Sequence, residues 1–536
     1  MLTVRGVLAV LVVLAVPSSP SYDLLVRNGT VVDGSGARAF RADVAVKDGR
    51  IVRIGHLEDA SAKRTVDASG LVVAPGFIDV HTHADDLAKK PRAENFLRMG
   101  VTTIVAGNCG SSPVEIGKEL EEIRKAGPSI NFATLVGHGS VRATVMGTER
   151  RAPTAAELEK MKALVAKAMA DGAVGLSTGL QYVPGSYAAE DEIVELARVA
   201  CKAGGLYASH MRNEGTEIEK SLAETIAVGE KAGCPVEVSH LKIDSPSRWG
   251  ASEKALGLIE AARSRGIAVQ ADQYAYTAAA SSLSIRFPDW ALEGGDEQIR
   301  KRLDDAATWA RIKTDMKAIL AGRGFSDLSF AVVADYPPDP SLVGLSLKQV
   351  AEKLLGDGSA EAQLEAARRM LRAGGAAMVY HLMSEDDMTR ILRHREVAVA
   401  SDGDVPDPDG RPHPRAFGDN ARVLGLYVRQ RKVLSLEEAV RKMTSLPAAH
   451  FKLSQRGLVK EGYAADLVLF DPAAVRDEAT FEEPRKFASG FRYVLVNGVL
   501  VIDGGTATGA AAGQVLQPRP EIKVIRPRRR GFRLEV

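Results

Sequence analysis

Gly76-Phe77-Ile78-Asp79-Val80-His81-Thr82-His83 carries an apolar, strand-length run straight into two histidines two residues apart. On an extended chain alternate side chains share a face, so the two imidazoles point the same way at the strand's end. Two imidazoles on one face can share a metal ion.

The pattern recurs downstream. Apolar runs at 76–81, 101–107, 131–137, 173–177, 205–209, 235–239, 267–272 and 397–401 alternate with helix-length amphipathic stretches. Strand and helix in alternation predict βα units, and eight of them predict an α/β fold of the (β/α)8, TIM-like barrel type. The runs end in polar residues: 101–105 leads to Asn108-Cys109-Gly110, 206–209 to His210, 235–239 to His240 and 397–401 to Asp402. A barrel collects the C-terminal ends of its strands in one mouth, so His81, His83, Cys109, His210, His240 and Asp402 are expected to converge there. A single strand-end histidine would be an ordinary packed residue, whereas six ligand-type side chains at one mouth read as a metal centre. Thiolate, imidazole and carboxylate together suit zinc; magnesium and calcium prefer oxygen, while iron, cobalt and nickel are compatible with the same donors.

Outside the barrel the periodicity changes. Residues 22–75 alternate apolar and polar around turn signals at Asn28-Gly29 and Asp48-Gly49, and the same grammar returns at 465–470 and 493–502. These segments predict a small β-sandwich domain built from both chain ends, 22–75 and 456–536, around a barrel spanning 76–455. Strand-like runs at 329–334 and 376–382 and a helical pattern over 360–373 exceed the barrel's needs, so about 289–395 is expected to be an insertion before the last barrel strand, a candidate lid. Residues 1–21 combine Arg5, the apolar run Gly6 to Val16 and a Pro/Ser segment. That run is shorter than the roughly 20 residues a spanning helix needs, which predicts a signal peptide, export to the periplasm or beyond, and no stable membrane insertion after processing. A buried strand or an unprocessed anchor is the alternative.

The whole chain has 536 residues, with Lys+Arg 70 against Asp+Glu 68 and a net charge of +2, which argues against a globally basic nucleic-acid partner. The C-terminal cluster Arg526, Arg528, Arg529, Arg530 and Arg533 reads as a solvated tail. Cys109, Cys201 and Cys234 do not make a disulfide scaffold.

The ordered set His81-Thr82-His83, His210, His240 and Asp402 between flanking β segments resembles the amidohydrolase superfamily, and the resemblance covers essentially the whole mature chain. Ala74-Pro75-Gly76-Phe77-Ile78-Asp79-Val80-His81-Thr82-His83-Ala84-Asp85-Asp86, Gly107-Asn108-Cys109-Gly110, Ala208-Ser209-His210-Met211-Arg212, Ser239-His240-Leu241-Lys242, Ala400-Ser401-Asp402-Gly403 and His413-Pro414-Arg415-Ala416-Phe417-Gly418 look like its D-aminoacylase, or N-acyl-D-amino-acid deacylase, branch. The fourth strand end, Gly175-Leu176-Ser177-Thr178-Gly179, lacks the metal-bridging lysine of many superfamily members, as that branch does, with Cys109 fitting the replacement role.

The resemblance implies a tight zinc on Cys109, His210 and His240 and a second, weaker site on His81, His83, Cys109 and Asp402. It implies Asp402 as general base and acid in amide hydrolysis, Lys242 and Arg415 on the α-carboxylate of a small N-acyl amino acid, and Tyr182 and Tyr274 lining the pocket, with Tyr276 competing for the latter role. Arg286 and Trp290 would shape the acyl pocket, and His138 has no assigned role. The runner-up is a cyclic-amide hydrolase of the dihydroorotase or hydantoinase kind; a non-catalytic exported metal-binding protein is the third reading. Gly175 to Gly179 also matches a G-x-S-x-G nucleophile elbow, but Leu180-Gln181-Tyr182-Val183-Pro184-Gly185 does not read as the helix an elbow requires.

Overall fold

The computed structural model describes residues 21–407 and 410–517. The expected signal peptide and the basic tail lie outside the described residues. Eight parallel strands stand in chain order around a barrel: Phe77–Asp79, Val101–Ala106, Asn131–Thr134 continued by Val136–Gly137, Gly175–Gly179, Leu206–His210, Val236–Val238, Val269–Gln273 and Val397–Val399. Leu135 alone separates the two halves of the third strand and so divides the ladder into two pieces. The last strand meets the first where the Asp402 N–H donates to His81 O at 2.9 Å and the His83 N–H to Gly403 O at 2.7 Å. The strands are buried throughout their length because helices such as Ile116–Ala126, Ala155–Asp171 and Glu190–Lys202 cover them, which is why they read as continuous apolar runs.

Strands from both chain ends join one nine-stranded sheet, knit where Val72–Pro75 pairs antiparallel with Leu467–Phe470. The Asp48-Gly49 turn is present, both residues at positive φ between strands Phe40–Lys47 and Arg50–Gly55, and Asn497-Gly498 makes a second such turn. Asn28-Gly29 is not a turn. Tyr22–Val31 is one continuous strand and the pair forms a bulge in it, since Asn28 at φ 62° adds a residue without reversing the chain.

Between the seventh and eighth barrel strands stands a second sheet, whose first strand precedes residue 289. Ala278–Ser282 pairs with Ala377–His381, which pairs with Ala331–Asp335, in an antiparallel sheet of three strands. Helices Ala306–Arg323, Leu347–Leu355 and Ala360–Arg372 pack on it around a separate core that includes Trp309, Ile312, Leu347, Met370 and Tyr380. Ala278-Ala279-Ala280 carries too little side-chain volume to announce a strand, so the sequence hides it. Cys201 on helix Glu190–Lys202 and Cys234 before the sixth barrel strand, given no role by sequence, form a disulfide with Cα atoms 5.5 Å apart.

Candidate active site

All six strand-end ligand candidates meet at the barrel mouth. Cys109 Sγ lies 3.6 Å from His210 Nδ1, 3.5 Å from His240 Nε2 and 3.3 Å from His81 Nε2, while His210 Nδ1 and His240 Nε2 are 2.8 Å apart. Beside this triangle His83 Nε2 is 3.0 Å, and His81 Nε2 3.5 Å, from Asp402 Oδ1. Cys109, His240 and Asp402 sit at φ 54°, 34° and 50°, a region costly for non-glycine residues. Strain repeated at three strand ends, each turning a donor toward the same point, marks a functional site.

The donor set fits zinc. Bond lengths of about 2.0–2.1 Å to nitrogen and 2.3 Å to sulfur in a tetrahedron put nitrogen and sulfur about 3.5 Å apart and two nitrogens about 3.3 Å apart. Both sulfur edges match, and the imidazole pair needs only to open by about half an ångström. The electrostatics agree. Burial pushes the Cys109 thiol up, yet His81, His240 and His210 hold it well below its ordinary value, and burial pulls the His83 imidazole down, yet Asp402 and Cys109 raise it to about 10.

Beyond the donors the mouth is cationic. Arg415, 4% exposed, places Nη2 2.8 Å from Asp402 Oδ2 and leaves Nη1 without a partner. Burial alone would raise the Asp402 carboxyl, but Arg415, then His83, hold it well below the usual range. His413 sets the arginine: its Nδ1 accepts from the Arg415 N–H at 3.0 Å and its Nε2 faces Ala278 O at 3.0 Å, tying the start of helix Arg415–Arg422 to the insertion. Lys242 Nζ is 2.6 Å from Glu214 Oε2 and 2.9 Å from His240 Nδ1.

Tyr182 Oη lies 3.4 Å from His210 Nδ1 and accepts from Ser281 Oγ at 3.3 Å, so Tyr182 stands on the cavity wall. Tyr274 does not: it is 1% exposed, donates to Met383 Sδ and supports the Arg415 guanidinium 4.6 Å from its ring centroid. Arg286 lines the cavity beside Lys242 and Arg415, 4.3 Å from the Tyr380 ring centroid, with Nε unpartnered and no carboxylate pairing it among the described residues. Trp290 instead bonds Asp315 under the Arg311 guanidinium, away from these walls. His138 is buried against Glu192 at 2.9 Å. Ser177 is locked, donating to Gly107 O and accepting from the Gly110 N–H, and no helix begins directly after it, the next being the short turn of helix Gly185–Tyr187, so the nucleophile-elbow reading falls.

Three site residues escaped the sequence reading. Glu214 lies 3.0 Å from His240 Nδ1, Asp272 3.2 Å from His81 Nδ1, and Gln181 Oε1 2.9 Å from His210 Nε2, each against the ring nitrogen turned away from the triangle. Asp272 and Gln181 hydrogen-bond their rings and so fix orientation and tautomer, while Glu214 faces His240 as an ion-pair neighbour whose Oε1 makes no hydrogen bond in this geometry. A carboxylate four residues after His210, in His210-Met211-Arg212-Asn213-Glu214, was the readable signal.

The amidohydrolase family model matches residues 64–306 and 345–502. The D-aminoacylase of Alcaligenes xylosoxydans xylosoxydans is 38% identical over 93% of this chain and 98% of its own length. The N-acyl-D-glutamate deacylase of the same organism is 38% identical over 89% of this chain and 93% of its own. A crystal structure of N-acyl-D-glutamate deacylase from Bordetella bronchiseptica, complexed with zinc and a phosphonate mimic of the tetrahedral intermediate, superposes with TM-score 0.80 at 36% identity, covering 92% of this chain and 99% of that one. The likeness runs over nearly the full length of both chains, and the chain belongs to the amidohydrolase family, in its branch of D-aminoacylases and N-acyl-D-amino-acid deacylases.

Proposed function

We propose that this protein hydrolyses the amide bond of N-acyl-D-amino acids with zinc held by Cys109, His210 and His240, and that His81, His83, Cys109 and Asp402 offer a second, weaker site. The observation that carries the reading is the Cys109–His210–His240 triangle directly beside the Asp402–Arg415 pair. Zinc, when bound, polarises an amide carbonyl and lowers the pKa of water toward about 7. Asp402 takes a proton from the attacking water and returns it to the leaving nitrogen as the C–N bond breaks, so hydroxyl ends on the acyl carbon and hydrogen on the amine.

Arg415 Nη1 and Lys242 hold the α-carboxylate, with Arg415 supplying the planar fork. A substrate carboxylate on Arg415 shares the guanidinium that holds Asp402 ionised, which raises the proton affinity of Asp402 as the base is needed. Tyr274 acts through Arg415 rather than on substrate. Arg286, a buried guanidinium without a counter-ion, favours an acidic side chain on the D-amino acid, in keeping with the glutamate-specific names among the relatives. The cyclic-amide alternative has no such support.

Export is also our reading, because the disulfide between Cys201 and Cys234 suits an oxidising compartment and agrees with the apolar leader. Among the described residues no helix is long and apolar enough to cross a membrane. We read the terminal sheet as a sandwich, because alternate residues such as Val26, Val44 and Leu467 share one core while Val468, Val494 and Val496 join the barrel's. The test is a panel of N-acetyl amino acids in both enantiomers, run beside zinc analysis. Hydrolysis confined to D substrates at one zinc per chain supports the proposal; failure on all of them with opening of cyclic imides overturns it.

A further inference from the structure

The mouth of the barrel is divided by charge. Lys242, Arg415 and Arg286 stand beyond the sixth to eighth strands. Across the metal ligands, beyond the second to fourth strands, runs a groove of about 490 Å³ that starts at His83, Cys109 and Tyr182 and continues along Gly110, Gly139 and Ala143. Apart from His83 its walls carry no ionisable side chain of Asp, Glu, Lys or Arg, and they are built of glycine, serine, alanine, valine and proline. Under the groove the backbones pack as only glycine permits: a Cβ on Gly179 would lie 2.0 Å from Cys109 O and one on Gly137 2.6 Å from Gly110 O.

An amide substrate held at the metal by its carbonyl, with its carboxylate on the cations, must send its acyl group to the opposite side, into this groove. A methyl group, about the size of a water's 30 Å³ share of liquid, would occupy under a tenth of that volume. Cavities of about 300–1,000 Å³ suit ligands of drug size.

We infer that the acyl group of the substrate is a medium-length, uncharged chain or ring seated in this groove, rather than acetyl. The inference rests on the deacylase reading above. Apolar burial at about 0.8 kcal/mol per methylene corresponds to about fourfold per carbon, and roughly half that in a groove open on one side. From acetyl to hexanoyl, four methylenes longer, kcat/KM for one D-amino acid is therefore expected to rise at least about tenfold.

The test measures kcat/KM of the full-length, zinc-loaded protein for acetyl, butanoyl, hexanoyl and benzoyl derivatives of one D-amino acid. The same series is run on Ala143→Trp and Ala143→Leu, at an exposed helix position of the groove, with thermal unfolding as the control for folding. A rise with chain length that Ala143→Trp reduces at least tenfold relative to acetyl, and Ala143→Leu reduces less, supports the inference. A flat or falling wild-type series, with acetyl hydrolysed, overturns it and leaves the deacylase reading intact. A rise untouched by both variants overturns the groove assignment. Absence of hydrolysis across the whole series overturns the deacylase reading itself.

Discussion

Replacing Glu214 by glutamine changes one charge and almost no volume at a position 1% exposed, between His240, a proposed metal ligand, and Lys242, proposed to hold the substrate carboxylate. Glu214 Oε2 is 2.6 Å from Lys242 Nζ and Oε1 is 3.0 Å from His240 Nδ1. Burial alone would raise its carboxyl, but Lys242, then His210 and His240, hold it far below the ordinary range, so it is an anion at working pH. When His240 Nε2 binds the metal, Nδ1 carries the proton and needs an acceptor. Lys242, also 2.9 Å from that nitrogen, offers only donors, which leaves Glu214 to orient the ring.

Loss of an outer carboxylate of this kind lowers metal affinity by about 10–100-fold, or about 1.4–2.7 kcal/mol. Removing one partner of a buried ion pair costs about 3–5 kcal/mol when the other charge is left alone, so Glu214→Gln is expected to melt earlier as well. A chelator competition gives the zinc affinity, and calorimetry the stability. Lys242→Met separates the two routes: if Glu214 acts through His240, the affinity loss persists in the Lys242→Met background while the stability loss shrinks. Zinc affinity within twofold of wild type in Glu214→Gln would refute the assignment, however large the drop in melting temperature.

Asp402→Asn removes the proposed proton acceptor from a mouth that keeps Cys109, His210 and His240; kcat is expected to fall about 10²–10⁴-fold with zinc retained on elemental analysis. Arg286→Gln removes the unpaired guanidinium, and at about 1.5–3 kcal/mol for a charged hydrogen bond the preference for acidic over neutral D side chains should drop at least about tenfold in competition assays. Glu119, 6% exposed with neither carboxylate oxygen partnered, is raised to about 8 by burial, then by Asp85 and Glu122. Its folded pKa exceeds the unfolded value, so the protein should be most stable below about pH 4.5 on this account and lose up to about 5 kcal/mol as pH rises through 8. Glu119→Gln is expected to flatten that slope in denaturation measured across pH.

The barrel was legible because its strands are covered on all sides, so each shows as a short apolar run that stops abruptly at the mouth. Val101 to Cys109 and Val397 to Asp402 display the rule directly. The ligand candidates were legible for the same reason, as polar residues where an apolar run ends. Asp272 also closes its apolar run, 267–272, and was passed over; the structure extends that strand to Gln273 and sets the carboxylate against the His81 ring. Glu214 escaped because it belongs to the loop after His210, and a loop residue's direction depends on tertiary contacts. The insertion's first strand was masked by its alanines, and the pairing of Cys201 with Cys234 by a separation of 33 residues across a helix and a strand, which spacing alone does not resolve.

The centre's preference for a cation follows from its own proton affinities. His81 is raised well above its ordinary value despite burial, by Asp272 first and then Cys109, and His240 is raised despite burial and despite Lys242, by Glu214 and Cys109. Each of these two imidazoles therefore sits in a field that rewards positive charge on the ring. A dication in the middle of the Cys109, His210 and His240 triangle answers the same field at one point, while protons answer it on separate rings that then repel one another. Metal binding must release those protons, so zinc affinity should go on climbing with pH above the ordinary histidine range. Asp272 and Glu214 feed this field, each facing its ring's far nitrogen, so the acids the sequence concealed are the ones that tune the donors it revealed.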